Sequence, residues 1–197
     1  MKKPVLFAAL CLFAFSYANA QDFYAGIKAG VAASQVSGDQ LSGFDKAGLV
    51  AGGTVGLPLS NKFDLAMEIL YIQKGSRKNP NPDKGDYESY LLRLNYFEVP
   101  LILQWKFSKR FVFEVGPALG VLLSSYEEDE YGELSQPVEF NKTDFSLLGG
   151  MSVILVKNIA FNIRYEKSVL PIRELTRSQS NEVLSFAFQY TFRKNKE

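Results

Sequence analysis

From residue 21 onward, apolar side chains recur at every second position through segment after segment, which is the period of a strand and not of a helix. Eight such segments can be read, at 22–34, 47–59, 62–75, 91–107, 110–125, 142–156, 159–169 and 182–192. The last shows the pattern most plainly: Leu184, Phe186, Phe188, Tyr190 and Phe192 share one face, and Ser185, Ala187, Gln189 and Thr191 the other. The third sets Phe63, Leu65, Met67, Ile69 and Tyr71 against Asp64, Ala66 and Glu68. The fourth sets Phe97, Val99, Leu101, Leu103 and Trp105 against Glu98, Pro100, Gln104 and Lys106. In the fifth, Phe111, Phe113, Val115, Leu119, Val121 and Leu123 oppose Glu114, Gly116, Ala118 and Gly120, and in the seventh Phe161, Ile163 and Tyr165 oppose Asn162, Arg164 and Glu166. Most segments hold 11 or more residues. That exceeds the roughly 5 to 6 of a soluble strand and suits a tilted strand crossing a bilayer.

The connections alternate in length. Ser60-Asn61, Ser108-Lys109 and Lys157-Asn158 are tight turns, whereas 35–46, 76–90, 126–141 and 170–181 are long and polar. An outer-membrane barrel has short periplasmic turns, long external loops and both termini on the periplasmic side, and this order satisfies all three. The expected fold is therefore an all-β, eight-stranded, antiparallel up-and-down transmembrane barrel. Pro100 and Pro117 fall inside two of the runs. Proline brings no amide hydrogen to a ladder, so each is expected to mark a bulge or a local break.

Ahead of the strands, Met1-Lys2-Lys3, an apolar run from Val5 to Phe15 and Ala18-Asn19-Ala20 have the three parts of a secretory signal peptide. The reading is a cleaved leader at 1–20 and a barrel domain at 21–197, without a second domain. The single cysteine, Cys11, belongs to the leader, so the mature part has no thiol chemistry. After residue 21 no apolar stretch is long enough for a membrane helix, so a bilayer could be crossed only by strands closed into a barrel.

Alternation alone does not say whether the oily face lies inside, as in a soluble lipocalin-like barrel, or outside. The composition of the other face decides. It carries Gly26, Gly30, Gly48, Gly52, Gly56, Gly116, Gly120 and Gly150 among few charges, and small residues suit a lumen that has room only for its own side chains. Aromatics are plentiful, with 16 Phe and 10 Tyr. Tyr24, Phe63, Trp105, Phe107, Phe111, Tyr190 and Phe192 lie near periplasmic strand ends, where an aromatic girdle is expected. On the inward face Lys28, Glu68, Glu114 and Arg164 come to about mid-height, with Asp64, Glu98, Lys106, Asp144 and Glu166 above and below. Buried charges persist only when paired, so Lys28, Glu68, Glu98, Glu114, Asp144, Arg164 and Glu166 read as a salt-bridged plug that closes the lumen. A gated pore and a proton-sensitive switch are the functional counterparts of that structural reading.

The chain has no histidine, and its 22 basic and 21 acidic residues leave a formal charge of +1. Small outer-membrane barrels that modify acyl chains or cleave peptides use histidine with a serine or acidic partner, which is missing here. Glu68 and Glu114 could do acid/base work, but no spacing singles them out, and the expectation is no enzyme and no cofactor. Near-neutral charge gives no reason to expect nucleic acid as a partner. The acidic run Glu127-Glu128-Asp129-Glu130, with Glu133, lacks calcium-loop spacing and reads as solvated surface, and Asn79-Pro80-Asn81-Pro82-Asp83 reads as a stiff loop tip.

The segments Glu68-Ile-Leu-Tyr-Ile-Gln-Lys-Gly75, Leu94-Asn-Tyr-Phe-Glu-Val-Pro-Leu101 and Phe113-Glu-Val-Gly-Pro117 resemble PorT-like outer-membrane β-barrel proteins of Bacteroidetes. The resemblance spans essentially the whole mature chain. It implies a Gram-negative outer membrane and the same eight-stranded barrel, and it accounts for the strand prolines. It also implies that Glu68, Tyr71, Gln73, Lys74, Gly75, Glu98 and Pro100 are structural signatures. Because the name-giving member is associated with type IX secretion and gliding, an accessory role there is one alternative and a narrow porin another. Fold does not carry function across. The leading expectation is a closed barrel in outer-membrane lipid with a structural or interaction role, its loops 76–90 and 126–141 open to a protein partner.

Overall fold

The computed structural model describes residues 23–39, 41, 43–134, 139–174 and 178–192. The leader at 1–20 lies outside the described residues. Eight long strands follow one another: β1 (Tyr24–Ser37), β2 (Lys46–Pro58), β3 (Phe63–Lys78), β4 (Tyr90–Lys106), β5 (Phe111–Asp129), β6 (Thr143–Val156), β7 (Ile159–Ser168) and β8 (Ser178–Phe192). Each pairs antiparallel with the next. β8 then closes on β1, from Ala25 opposite Phe192 to Ser37 opposite Ser180, so the eight-stranded barrel leaves no wall strand with a bare edge. Two-residue strands at Gly132–Glu133 and Arg173–Glu174 extend the wall beyond β5 and β8.

Two of the tight turns use the same device. Ser60 Oγ accepts the amides of Lys62 and Phe63 at 3.3 and 3.1 Å, and Ser108 Oγ those of Arg110 and Phe111 at 3.2 and 3.1 Å. Toward the other end the strands run past their expected limits, β3 to Lys78 and β5 to Asp129. At about 3.3 Å per residue and a tilt near 40°, a strand the length of β5 rises about 48 Å, roughly twice the apolar band. The external loops therefore stand on strand extensions well clear of the hydrocarbon.

The oily face points outward. Val31, Leu49, Val115, Leu119, Leu147 and Phe188 are all more than half exposed, a continuous apolar surface that water would not tolerate. At the periplasmic end Trp105, Phe107 and Phe113 form a cluster with centroids 5.4 to 6.0 Å apart, and Tyr190 packs on Phe192 at 5.2 Å. Tyr24 departs from the girdle expected of it. On β1 it shares the even-numbered inward face with Lys28, and its hydroxyl donates to Gln104 Oε1 at 2.8 Å.

The prolines interrupt the ladder without shifting it. β3–β4 pairing skips from Met67–Leu101 to Leu70–Glu98 around Pro100, and β4–β5 pairing skips from Pro100–Ala118 to Leu103–Val115 around Pro117. The slip in register lies higher, where Asn95 opposite Ser124 is followed by Tyr96 opposite Leu122 and Leu123 is bypassed. That bulge exchanges the faces of β5. Even-numbered Glu114, Ala118 and Gly120 face inward below it, and Glu127 above it. The reading of Glu127 as solvated surface is thereby corrected. It is buried, accepting from the Tyr90 hydroxyl at 2.7 Å and from Arg173 Nη1 at 3.1 Å.

Small inward residues let neighbouring strands approach. A Cβ on Gly52 would lie 1.9 Å from the Ile69 carbonyl oxygen, whereas one on Gly53 would meet nothing nearer than 3.8 Å. Gly52→Ala is expected to lower unfolding stability by about 1–3 kcal/mol through overpacking, and Gly53→Ala to stay within about 0.5 kcal/mol. Urea unfolding of both variants in micelles checks the contrast.

Candidate functional site: the charge layers of the lumen

Four alternate strands supply the lower layer: Lys28 from β1, Glu68 from β3, Glu114 from β5 and Arg164 from β7. Lys28 Nζ lies 2.6 Å from Glu68 Oε1. Arg164 grips the same carboxylate with Nη1 on Oε2 at 2.8 Å and Nη2 on Oε1 at 3.2 Å, and turns Nε to Glu114 Oε1 at 2.8 Å. Two bases thus meet two acids with no surplus charge. Register explains the reach, because Glu114 stands opposite Gly150 and Gly150 opposite Arg164. A Cβ on Gly150 would come within 3.0 Å of Glu114 Oε1, so the intervening strand must be bare there for the two side chains to meet. Asn162 completes the layer, donating to Glu114 Oε1 at 2.8 Å and to Ser152 Oγ at 2.9 Å, and accepting from Lys28 at 3.5 Å.

The upper layer is centred on Lys74. Its ammonium lies 2.5 Å from Glu166 Oε1, 2.7 Å from Glu98 Oε2 and 3.2 Å from Asp144 Oδ2, and 5.2 Å from the Tyr96 ring centroid. The contact with Glu98 is ionic and lacks hydrogen-bond geometry. Here too a glycine spaces the acids, Gly120 standing between Glu98 and Asp144 in the register. Ser146 donates to Glu166 at 2.7 Å and Asn181 to Asp144 at 2.9 Å. One base faces three acids, so this layer, unlike the lower one, is unbalanced.

Apolar side chains fill much of the remaining space. Leu70, Ile72, Leu92, Leu94 and Tyr96 pack with Val36, Val50, Ile172 and Val183 inside the barrel. The expectation of a lumen of small residues and charges is corrected in this upper half. Along Ile69-Leu70-Tyr71-Ile72 and Leu91-Leu92 both faces are apolar, so alternation marks no inside there. A cavity of about 290 Å³ opens at the periplasmic mouth, beside Tyr24, Asp64, Gln104 and Lys106, and one of about 460 Å³ at the external mouth, beside Asp39, Glu127, Arg173 and Gln179. Between the mouths Glu68, Lys74, Tyr96 and Glu98 are at most 1% exposed.

All seven residues assigned to the network from sequence lie buried in the lumen, but in two groups. Lys28, Glu68, Glu114 and Arg164 form one, and Glu98, Asp144 and Glu166 belong to the other, around a lysine the sequence reading placed only among structural signatures. Even-numbered β3 residues face inward from Asp64 to Ser76, so carrying the alternation two turns of the pleat past Leu70 would have found Lys74. Asp64 pairs apart from both layers, with Lys106 Nζ at 2.6 Å. At the end of β3, Lys78 bridges Asp86 at 3.1 Å and Glu88 at 2.7 Å in the loop that follows, and its hydrogen bond holds the Asp86 carboxyl below its ordinary range. Among the described residues no group of three or more acidic, histidine or cysteine side chains is disposed to hold a metal ion.

The chain belongs to the family described as the outer membrane protein beta-barrel domain, whose model matches residues 19–172. No curated protein sequence matches it. Among solved structures it is similar to Ail, the attachment invasion locus protein of Yersinia pestis, solved with the heparin analogue sucrose octasulfate. The TM-score is 0.53 and the identity 14%, over 87% of this chain and 99% of that one. It is also similar to Neisserial surface protein A, at TM-score 0.52 and 16% identity over 87% and 97%. At such identities the likeness establishes the fold, a small outer-membrane barrel.

Removing one partner of a buried pair leaves the others uncompensated. Arg164→Met, which removes the ion pair of Glu114 and one of the two bases on Glu68, is expected to lower unfolding stability by about 3–5 kcal/mol in micelles. The double variant Arg164→Met/Glu114→Gln is expected to recover part of the loss, and a double-mutant cycle in urea measures the coupling.

Proposed function

We propose that this member of the outer-membrane barrel family is a sealed barrel with a structural or interaction role, carried by its external loops and not by its lumen. The observation that supports this reading is the filled cross-section: two ion-paired layers on Glu68–Arg164 and Lys74–Glu166, with Leu70, Ile72, Leu92, Leu94 and Tyr96 packed among them. Opening a solute path at the lower layer would mean separating Arg164 from two carboxylates away from water, at a cost of several kcal/mol per exposed charge. The partner surface is the external end, where strand extensions and the loops 76–90 and 126–141 project. A cleaved leader at residues 1–20 and a Gram-negative outer membrane complete the reading, supported by the tripartite N-terminal pattern. The three motif segments support placement beside PorT-like proteins of Bacteroidetes, and an accessory role in a type IX secretion machine is the alternative which that resemblance implies.

A narrow porin is the second reading, favoured by the cavities of about 290 and 460 Å³ that enter the lumen from its two mouths. Planar-bilayer recordings separate the two. Purified protein is expected to insert without steady conductance, and a reproducible open level from the wild type would replace the sealed barrel with the pore.

A further inference from the structure

The external ends of β2, β3 and β4 enclose a third cavity, of about 330 Å³, whose lining includes Lys46, Arg77, Arg93, Asn79, Ser89 and Tyr90. Lys46 is 2% exposed, and its Nζ has no hydrogen-bond partner among the described residues. An ammonium buried without an acceptor is unfavourable, and an anion entering the cavity would relieve it. Among the described residues no carboxylate ion-pairs with Lys46, Arg77 or Arg93. Two acids also line the cavity, each holding one local hydrogen bond: Glu128 accepts from the Tyr126 hydroxyl at 2.8 Å, and Asp129 accepts the Tyr131 amide at 2.8 Å. Lys78, a fourth cation of the lining, is neutralised by Asp86 and Glu88. With Lys78 neutralised, Lys46, Arg77 and Arg93 outnumber the two remaining acids of the lining, Glu128 and Asp129, so the cavity keeps a net positive charge.

The height of the two arginines on the barrel says which anion is at hand. The outward residues of β3 are apolar from Phe63 to Ile69 and reach Tyr71 before turning polar at Gln73, and those of β4 are apolar from Trp105 to Phe97 before Asn95. Gln73 Nε2 donates to the Tyr71 hydroxyl at 3.0 Å and to Asn95 Oδ1 at 3.1 Å, and Asn95 Nδ2 donates to Ser124 Oγ at 2.8 Å. This polar row closes the apolar band. Arg93 follows Asn95 and Arg77 follows Gln73 on the same outward faces, about 5 and 10 Å higher along a strand tilted near 40°. Both therefore stand in the headgroup layer of the outer leaflet, directly above a surface suited to acyl chains.

We propose that Lys46, Arg77 and Arg93 form a binding site for the phosphoryl headgroup of an outer-leaflet lipid. The guanidinium forks match phosphate oxygens bidentately, Lys46 supplies a point charge already removed from water, and the apolar band below takes the lipid tails. The site rests on the outer-membrane placement and is independent of whether the lumen conducts.

The test titrates folded protein in zwitterionic micelles with three probes: lipid A bearing its phosphates, the same lipid with the phosphates removed, and inorganic phosphate. The phosphorylated lipid is expected to bind saturably, and the dephosphorylated lipid not to. Arg77→Gln/Arg93→Gln and Lys46→Met are each expected to weaken binding about tenfold or more. The gel shift on heating reports whether each variant is folded, and the exposed arginine pair decides the matter if Lys46→Met does not fold. Equal binding by wild type and the arginine variant, or of both lipids by the wild type, overturns the site. Inorganic phosphate binding as tightly as the phosphorylated lipid overturns the lipid as its source.

Discussion

In hydrocarbon there is no water to meet an amide or a carbonyl, and a chain without long apolar helices can satisfy those groups only by pairing strand with strand until the last meets the first. The pairing of β8 with β1 over Ala25–Ser37 is that closure, and much of the remaining structure answers to it. Closing eight tilted strands leaves a lumen only about as wide as its own side chains. Whatever points inward must be small, or apolar and packed, or charged and paired. The inward glycines, the Leu–Ile–Tyr cluster and the two ion-paired layers are the three forms this takes here.

The two layers solve the same problem differently. In the lower one Arg164 binds Glu68 with a fork and Glu114 with its remaining nitrogen, so a single side chain ties β7 to β3 and β5 across the barrel. Cross-lumen ties of this kind resist register slip, since moving one strand by a residue would turn its charge toward lipid. In the upper layer Lys74 takes the equivalent position but meets three acids, with Ser146 and Asn181 as additional donors. Bare backbone at Gly150 is part of the lower arrangement, because a side chain there would crowd Glu114, while Gly120 lies between Glu98 and Asp144 in the register of the upper one.

On the outside the molecule reads as a vertical section through a membrane. An aromatic cluster at Trp105, Phe107 and Phe113 marks the periplasmic interface, an apolar band follows, and the row of Tyr71, Gln73, Asn95 and Ser124 marks the external one. Beyond that row the strands continue as hydrogen-bonded extensions, so the external loops are held away from the bilayer. On the proposed sealed-barrel reading, recognition falls to the rim and loops, since the interior is occupied by the protein's own side chains.

Period-two alternation and the rhythm of short and long connections carried the strand number and the strand limits to within a few residues, and the small-residue composition of the other face carried the direction of the oily one, because each depends only on local pattern. The buried charges were legible for the same reason: a charged residue at an inward position has to find a partner. Partner identity was not legible. Nothing along the chain says that Arg164 reaches across Gly150 to Glu114, or that Glu98, Asp144 and Glu166 converge on Lys74, since these depend on the relative register of strands far apart in sequence. The apolar upper lumen, the inward Tyr24 and the bulge that buries Glu127 were likewise decided by the closed barrel. Where both faces are apolar, or one extra residue exchanges them, local pattern loses its phase, and only the fit of neighbouring strands around a common axis restores it.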